Sequence, residues 1–199
     1  MLFQLRDYFA AQPAIFSFLR RIIELGFSKE KKIIREVFSH DSAGRILDIG
    51  CGTGEFSGSF PNFSYTGIDI SPAYIAYAKK RYRRNFIVMD AMHLQFAADS
   101  YDAVFIMAIL HHLSQAQVNS VLQEAKRVVK TGGKVLILED ARIKEKENLF
   151  TKFVQNFDKG AYIREPAAYR EMADKYFEVI REWRFRSGAC TYYGLLMQK

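Results

Sequence analysis

The segment Ile46-Leu47-Asp48-Ile49-Gly50-Cys51-Gly52-Thr53-Gly54-Glu55 carries three glycines at alternate positions directly after a short apolar run. Glycine is needed where a backbone takes positive φ or where a ligand must approach the main chain. The pattern reads as a strand turning through a glycine loop into a helix. It places a ligand at the carboxyl end of the first strand, where open α/β sheets bind nucleotides. The spacing argues against a dinucleotide, whose loop runs G-x-G-x-x-G with the pyrophosphate at the helix start. Here the loop is G-x-G-x-G followed by Glu55, and a carboxylate at a helix start opposes a phosphate. Asp48 adds a second negative charge beside the loop. The site suits a ligand bearing a positive amino group and a sulfonium, and it disfavours an NAD-dependent oxidoreductase.

Outward from this loop the chain alternates short apolar runs with helical stretches. Runs at 45–49, 64–70, 85–89, 101–107 and 134–139 are continuously apolar, as strands covered on both faces should be. Helices are predicted over 72–83, capped by Ser71, and over 115–129, stopped by Thr131-Gly132-Gly133. This alternation implies a doubly wound, mostly parallel sheet of α/β class. Runs at 177–185 and 191–197, joined by Arg186-Ser187-Gly188-Ala189, predict an antiparallel hairpin closing one edge of a seven-stranded sheet. Helices are also predicted over 144–157 and 166–175, and the first forty residues read as helix. The organisation is one domain over 1–199. A helical N-terminal cap covers 1–43, a cofactor-binding core 44–140, and substrate-side helices with the closing hairpin 141–199. Two further acids fall at strand ends. Asp69 closes Tyr65-Thr66-Gly67-Ile68-Asp69-Ile70 and is placed to accept both hydroxyls of an unphosphorylated ribose. Asp90, in Met89-Asp90-Ala91, is placed to accept from an adenine amino group.

The ordered set D-I-G-C-G-T-G at 48–54, G-I-D-I-S-P at 67–72, D-A at 90–91, Y-D-A-V-F at 101–105 and the glycines at 132–133 resembles the class I S-adenosylmethionine-dependent methyltransferases, in their small-molecule, type 11 branch. The resemblance covers about residues 44–140. It implies that Asp48 and the backbone of Gly50, Cys51, Gly52 and Gly54 hold the methionine part of S-adenosylmethionine. It implies that Asp69 binds the ribose, Ile70 flanks the adenine, Asp90 and Ala91 contact the adenine edge, and Met107 lies beneath the methionine. The product would be S-adenosylhomocysteine, and no metal is expected.

Methyl transfer from a sulfonium is an in-line displacement in which positioning alone can supply about 7–11 kcal/mol. A hydroxyl nucleophile also needs a general base, usually His. The run Leu110-His111-His112-Leu113 follows the fourth strand and resembles the small-molecule and lipid-quinone branches. His111 and His112 are therefore candidate bases or substrate contacts, with loop packing as the alternative. Tyr162 and Arg164 are substrate candidates, Arg164 as a clamp for a carboxylate or phosphate, with a surface pair as the alternative. No N-P-P-Y, D-P-P-Y or Pro-Cys follows the fourth strand, which argues against the amino-methyltransferases of DNA bases and glutamine and against a cytosine-C5 mechanism.

The favoured reading is methyl transfer to O, N or C of a small-molecule or lipid-like acceptor. The alternatives are an RNA or protein methyltransferase and a non-catalytic binding protein. Charge bears on that choice. The chain has 29 Lys and Arg against 22 Asp and Glu, and much of the excess lies in Lys79, Lys80, Arg81, Arg83 and Arg84. Such a run attracts anionic partners or forms a solvated helix end; nucleic acid is the less favoured partner. Residues 13–27 are apolar, yet Arg20, Arg21 and Glu24 interrupt them short of the roughly 20 residues that span a bilayer. An amphipathic cap is the expectation, with peripheral membrane contact as the alternative and no signal peptide. Two cysteines, Cys51 and Cys190, make no disulfide framework and point to a cytoplasmic setting.

Overall fold

The computed structural model describes residues 12–39, 41, 43–142 and 162–199. Its centre is a seven-stranded sheet formed by β1 (Gly44–Ile49), β2 (Phe63–Asp69), β3 (Asn85–Val88), β4 (Tyr101–Met107), β5 (Val129–Asp140), β6 (Glu178–Ser187) and β7 (Cys190–Gln198). The strand order is β3-β2-β1-β4-β5-β7-β6. The first five strands pair in parallel, and β7 pairs antiparallel with both β5 and β6. The predicted doubly wound sheet with a closing hairpin is observed. The last strand, rather than β6, takes the place beside β5. The outer strand β6 carries Glu178, Arg181, Glu182, Arg184 and Arg186, and such charges block pairing with another chain.

The apolar runs are continuous because successive residues feed two cores. Leu47, Ile49, Val104, Ile106, Val135 and Ile137 face one layer. Ile46, Ala103, Phe105, Met107, Leu136 and Leu138 face the other. On the first side lies α4 (Gln115–Val128), which buries Val118, Val121, Leu122, Ala125 and Val128 at helical spacing. Ser114 and Gln117 form a reciprocal capping box at its start. Beside it, α5 (Pro166–Asp174) buries Tyr169, Met172 and Ala173. On the second side lie α2 (Ser28–Phe38) and α3 (Pro72–Arg81), the latter capped by Ser71 as expected.

Three local expectations need correction. No helix follows the glycine loop; a single 3-10 turn, Ser57–Ser59, stands there. Only residues 55–62 separate the loop from β2, and Gly58 and Pro61 interrupt them. Phe56 and Phe60 fill the space instead, against Phe27, Phe38, Tyr65 and Phe105 at ring separations of 5.2–6.0 Å. Secondly, β5 starts at Val129, directly where α4 ends. Pairing with β4 jumps from Tyr101↔Val129 to Ala103↔Lys134, so residues 130–133 bulge out and the glycines sit in that bulge. Thirdly, the hairpin turn is the pair Gly188-Ala189. The expected helix over 144–157 lies outside the described residues.

The N-terminal segment forms α1 (Pro13–Ile23) and α2, joined through Leu25, Gly26 and Phe27, all with positive φ. Buried polar contacts tie both helices to the hairpin. The Arg20 guanidinium donates to Glu24 at 2.6 Å, and Glu24 also accepts from the Tyr192 hydroxyl. The Ser187 hydroxyl donates to Glu30 at 2.9 Å, and Ala189 N–H donates to the Ile23 carbonyl at 3.0 Å. A Cβ on Gly188 would stand 1.9 Å from that same carbonyl oxygen. Gly188→Ala should therefore destabilise the fold by about 1–3 kcal/mol, since backbone cannot yield as a side chain does. Urea unfolding checks this; an unchanged midpoint would show that the hairpin does not bear on α1.

Candidate active site

The carboxyl ends of β1, β2, β3 and β4 share one rim. At the end of β1 the chain reverses so tightly that Gly50 N–H and Cys51 N–H both donate to the Ile68 carbonyl, at 2.8 and 2.9 Å. A Cβ at Gly50 would stand 2.2 Å from Ile109 Cγ2, so packing against the fourth-strand loop demands glycine there. Gly52 differs, with φ +53° and no atom nearer than 4.0 Å to a Cβ built on it. Its neighbourhood is open, as close approach of a ligand to the backbone requires. Gly54 N–H donates to the Cys51 carbonyl and closes the loop.

A cleft above this loop is lined by Asp48, Gly50, Cys51, Gly52 and Met107, five of the residues singled out in the sequence. Thr53, Glu55, Phe56 and Phe27 complete it with Phe16, Ser17 and Arg20 of α1. The α1 contribution escaped the sequence reading. A signal existed in the polar residues Ser17 and Arg20 inside an apolar helix. Phe16 stacks on Tyr74 of α3 at 5.2 Å, which lays α1 across the rim. Glu55 accepts from Arg21 at 2.7 Å and Lys31 at 2.8 Å, so it anchors both N-terminal helices over the loop.

Asp48 is 2% exposed and accepts from the Tyr65 hydroxyl at 2.5 Å. Burial pushes its pKa up to about 7, against the lowering effect of that hydrogen bond. Among the described residues no cation pairs with it. A carboxylate this buried is stabilised by a positive partner, and the open glycine loop is where one can enter. Burial, with the nearby Asp48 and Asp69 charges, pushes the Cys51 thiol pKa up and so disfavours the thiolate.

Asp69 and Asp90 lie along the adjoining rim rather than in the cleft lining. Asp69 accepts from Gly52 N–H at 2.9 Å and Ser71 N–H at 2.8 Å, and burial raises its pKa. It thus ties the end of β2 to the glycine loop. Asp90 accepts from Met92 N–H at 2.8 Å and stands 3.5 Å from His93. Both acids cap turns, and each carboxylate oxygen has more than one lone pair. Ile70 is 71% exposed on the same rim, and Ala91 is half-buried.

The fourth-strand loop begins with Ala108 at φ +53°, an uncommon conformation for a residue with a Cβ. Glu139 organises residues 109–111. One of its oxygens accepts from Ile109 N–H and Leu110 N–H at 2.9 and 2.8 Å, and the other meets His111 Nδ1 at 2.9 Å. His111 is buried, whereas His112 is exposed, with the two rings 4.0 Å apart. Tyr162 N–H donates to the His111 carbonyl. Arg164 donates to the carbonyls of Leu110, Tyr162 and Leu113 at 2.7–3.0 Å. This guanidinium braces the histidine loop. Three backbone carbonyls satisfy donors that a free carboxylate or phosphate would otherwise take.

Comparison with known proteins agrees with this geometry. Residues 47–137 match the methyltransferase domain family. The chain is 36% identical over 128 residues to a tRNA (carboxymethyluridine(34)-5-O)-methyltransferase of Arabidopsis thaliana, covering 64% of this chain and 31% of that protein. It is 32% identical over 130 residues to a demethylmenaquinone methyltransferase of Thermotoga maritima, covering 62% and 56%. The chain thus spans from just under a third to just over half of the length of these relatives. Among solved structures, the PH0226 protein of Pyrococcus horikoshii shares the fold with a TM-score of 0.71 and 21% identity, over 91% of this chain and 90% of that one. Phosphoethanolamine N-methyltransferase 2 of Haemonchus contortus, solved with S-adenosyl-L-methionine, gives 0.69 at 19% identity, over 87% and 53%.

The buried acids make a pH prediction. Asp48 titrates near 7 in the folded protein and near about 4 when unfolded, so between those values the folded state holds more protons. Stability of the ligand-free protein should fall as pH rises through that window. Glu30, whose pKa burial raises to about 7, adds a fall of the same sign. Urea midpoints measured across the window should fall less steeply in Asp48→Asn; an identical slope would deny Asp48 its raised pKa.

Proposed function

We propose, since residues 47–137 match the methyltransferase domain family, that this chain transfers the methyl group of S-adenosylmethionine to O, N or C of a small-molecule or lipid-like acceptor. The observation that carries the reading is Asp48, a buried carboxyl with no cationic partner among the described residues, beside the open backbone of Gly52. A ligand with an ammonium and a sulfonium supplies the missing charge, whereas a diphosphate would add to the acid. Asp48 and the backbone of Gly50, Cys51 and Gly52 would hold the methionine end over Met107. Asp69 would take the ribose hydroxyls. Ile70 would lie beside the adenine, and Asp90 and Ala91 would meet its amino edge.

Bound there, S-adenosylmethionine supplies a methyl group on a sulfonium. The chain's own contribution is alignment and exclusion of water. Phe16, Phe27, Phe56 and Met107 give the cleft apolar walls, and a positioned reactant avoids the entropy cost of encounter. Glu139 and Arg164 fix the loop that carries His111 and His112 at the same rim. Glu139 holds Nδ1 of the buried His111, and His111 or the exposed His112 would exchange a proton with the acceptor.

The relative acting on demethylmenaquinone supports a lipid-like acceptor. A second reading, transfer to RNA, is favoured by the tRNA methyltransferase relative and by the exposed cluster Lys79, Lys80, Arg81 and Arg83. A screen of S-adenosylhomocysteine release over phenols, quinones, lipids, amines and tRNA distinguishes them. Turnover with quinones or phenols supports the first reading and turnover with tRNA alone the second. Release with none of them leaves a non-catalytic binding protein.

Calorimetry tests the cofactor site independently. Asp69→Ala should weaken S-adenosylhomocysteine binding by about 1 kcal/mol or more through lost hydrogen bonds to an ionised acceptor. In the unaltered chain, affinity should rise as pH approaches and passes 7, because a cationic ligand favours ionised Asp48. Asp48→Asn should bind more weakly with that rise abolished, and unchanged binding by both variants would remove the assignment.

A further inference from the structure

Helix α1 is amphipathic in the reverse of the usual sense. Its polar residues Ser17, Arg20 and Arg21, with Glu24 at its end, turn toward the protein, where Arg20 meets Glu24 and Arg21 meets Glu55. Its apolar residues Ile15, Phe18, Leu19 and Ile22 recur at i, i+3, i+4 and i+7 and face outward. Phe18 is 63% exposed, Ile22 57%, and Leu25 just beyond the helix 70%. Scattered apolar residues on a surface mean little, but a contiguous stripe marks an interaction face.

The stripe has a basic neighbour. α1 packs beside α3, with Phe16 on Tyr74 and Arg21 near Tyr82. The last turn of α3 and the residue after Tyr82 present Lys79, Lys80, Arg81 and Arg83, all exposed. None of these four pairs with a carboxylate among the described residues. An apolar helical stripe flanked by unneutralised cations is complementary to one surface in particular, an anionic bilayer with acyl chains beneath its headgroups. RNA would use the cations and leave the stripe exposed. A second copy of the chain would bring two like-charged clusters together.

We propose that α1 and the end of α3 form a docking surface for anionic membranes, with α1 lying in the plane of the interface. Eleven residues make a rod of about 16 Å, suited to lying along a surface. Among the described residues no helix is long and apolar enough to cross a membrane. The inner side of the same helix lines the cleft through Phe16, Ser17 and Arg20, so docking sets the mouth of the cleft at the headgroups. This holds whatever the acceptor of the methyl group.

Cosedimentation of the full chain with vesicles tests the assignment. Binding is expected to phosphatidylcholine vesicles containing phosphatidylglycerol, weakly or not at all to phosphatidylcholine alone, and to decline with salt. Phe18→Ser with Ile22→Ser should lower partitioning about tenfold or more, and Lys79→Glu with Lys80→Glu should do likewise on the anionic vesicles. Thermal melting of both variants should match the unaltered chain. Absence of vesicle binding overturns the proposal. So does a marked fall in melting temperature of the Phe18/Ile22 variant, which would assign the stripe to packing within the chain, or a dimer that this variant dissolves. Tight tRNA binding lost with Lys79 and Lys80, without vesicle binding, would assign the cations to RNA.

Discussion

Two backbone N–H groups, those of Gly50 and Cys51, share the carbonyl of Ile68, and a third, that of Gly52, donates to the Asp69 carboxylate. These bonds fold the end of β1 back across the end of β2 and hold the glycine loop against the rim. Everything proposed for the site depends on that closure. It sets Asp48 below the loop, leaves the space beside Gly52 open, and brings Ile109 onto Gly50 so that the fourth-strand loop is registered to the first. Asp69 has two parts in this arrangement. It locks the loop, and in the proposed function its remaining lone pairs would take the ribose hydroxyls.

Aromatic side chains fill part of one layer of the molecule. A doubly wound sheet needs both faces covered, and the short link between β1 and β2 has no room for a helix. Phe56 and Phe60 fill part of that face, with α2 behind them contributing Phe38, Ile33, Ile34 and Val37. The N-terminal helices are thereby part of the fold's core as well as of its cleft. They are held by buried polar contacts in which Glu30 keeps one oxygen without a partner among the described residues. Such a group costs stability, and it keeps α2 and the hairpin turn in one relative position through Ser187.

The geometry of the fourth-strand loop is set by residues far apart in sequence. Glu139 on β5 and Arg164 ahead of α5 converge on residues 109–113 and satisfy the backbone groups there. A loop that must present a side chain to a reacting group gains from such bracing, because misplacement of about 1 Å can cost on the order of a hundredfold in rate.

The sequence by itself determined the sheet and the set of acids along the rim of its strand ends. Strand runs, cap residues and the glycine spacing are local signals, each carried by neighbours a few positions apart. Asp48, Asp69 and Asp90 are therefore legible at strand ends from the residues alone. The helix that the glycine pattern implies after Gly54 is absent because the stretch at 55–62 is too short and too broken to form one. The tertiary structure alone decided the reach of α1 over the cleft, the inward turn of its charges, the burial that raises the Asp48 pKa and the use of Arg164 as a brace. Those properties depend on contacts between residues 20 and 192, 21 and 55, 48 and 65, and 110 and 164. Periodicity says which face of an element is apolar. Only packing says what that face meets, and at α1 it turned the polar face inward.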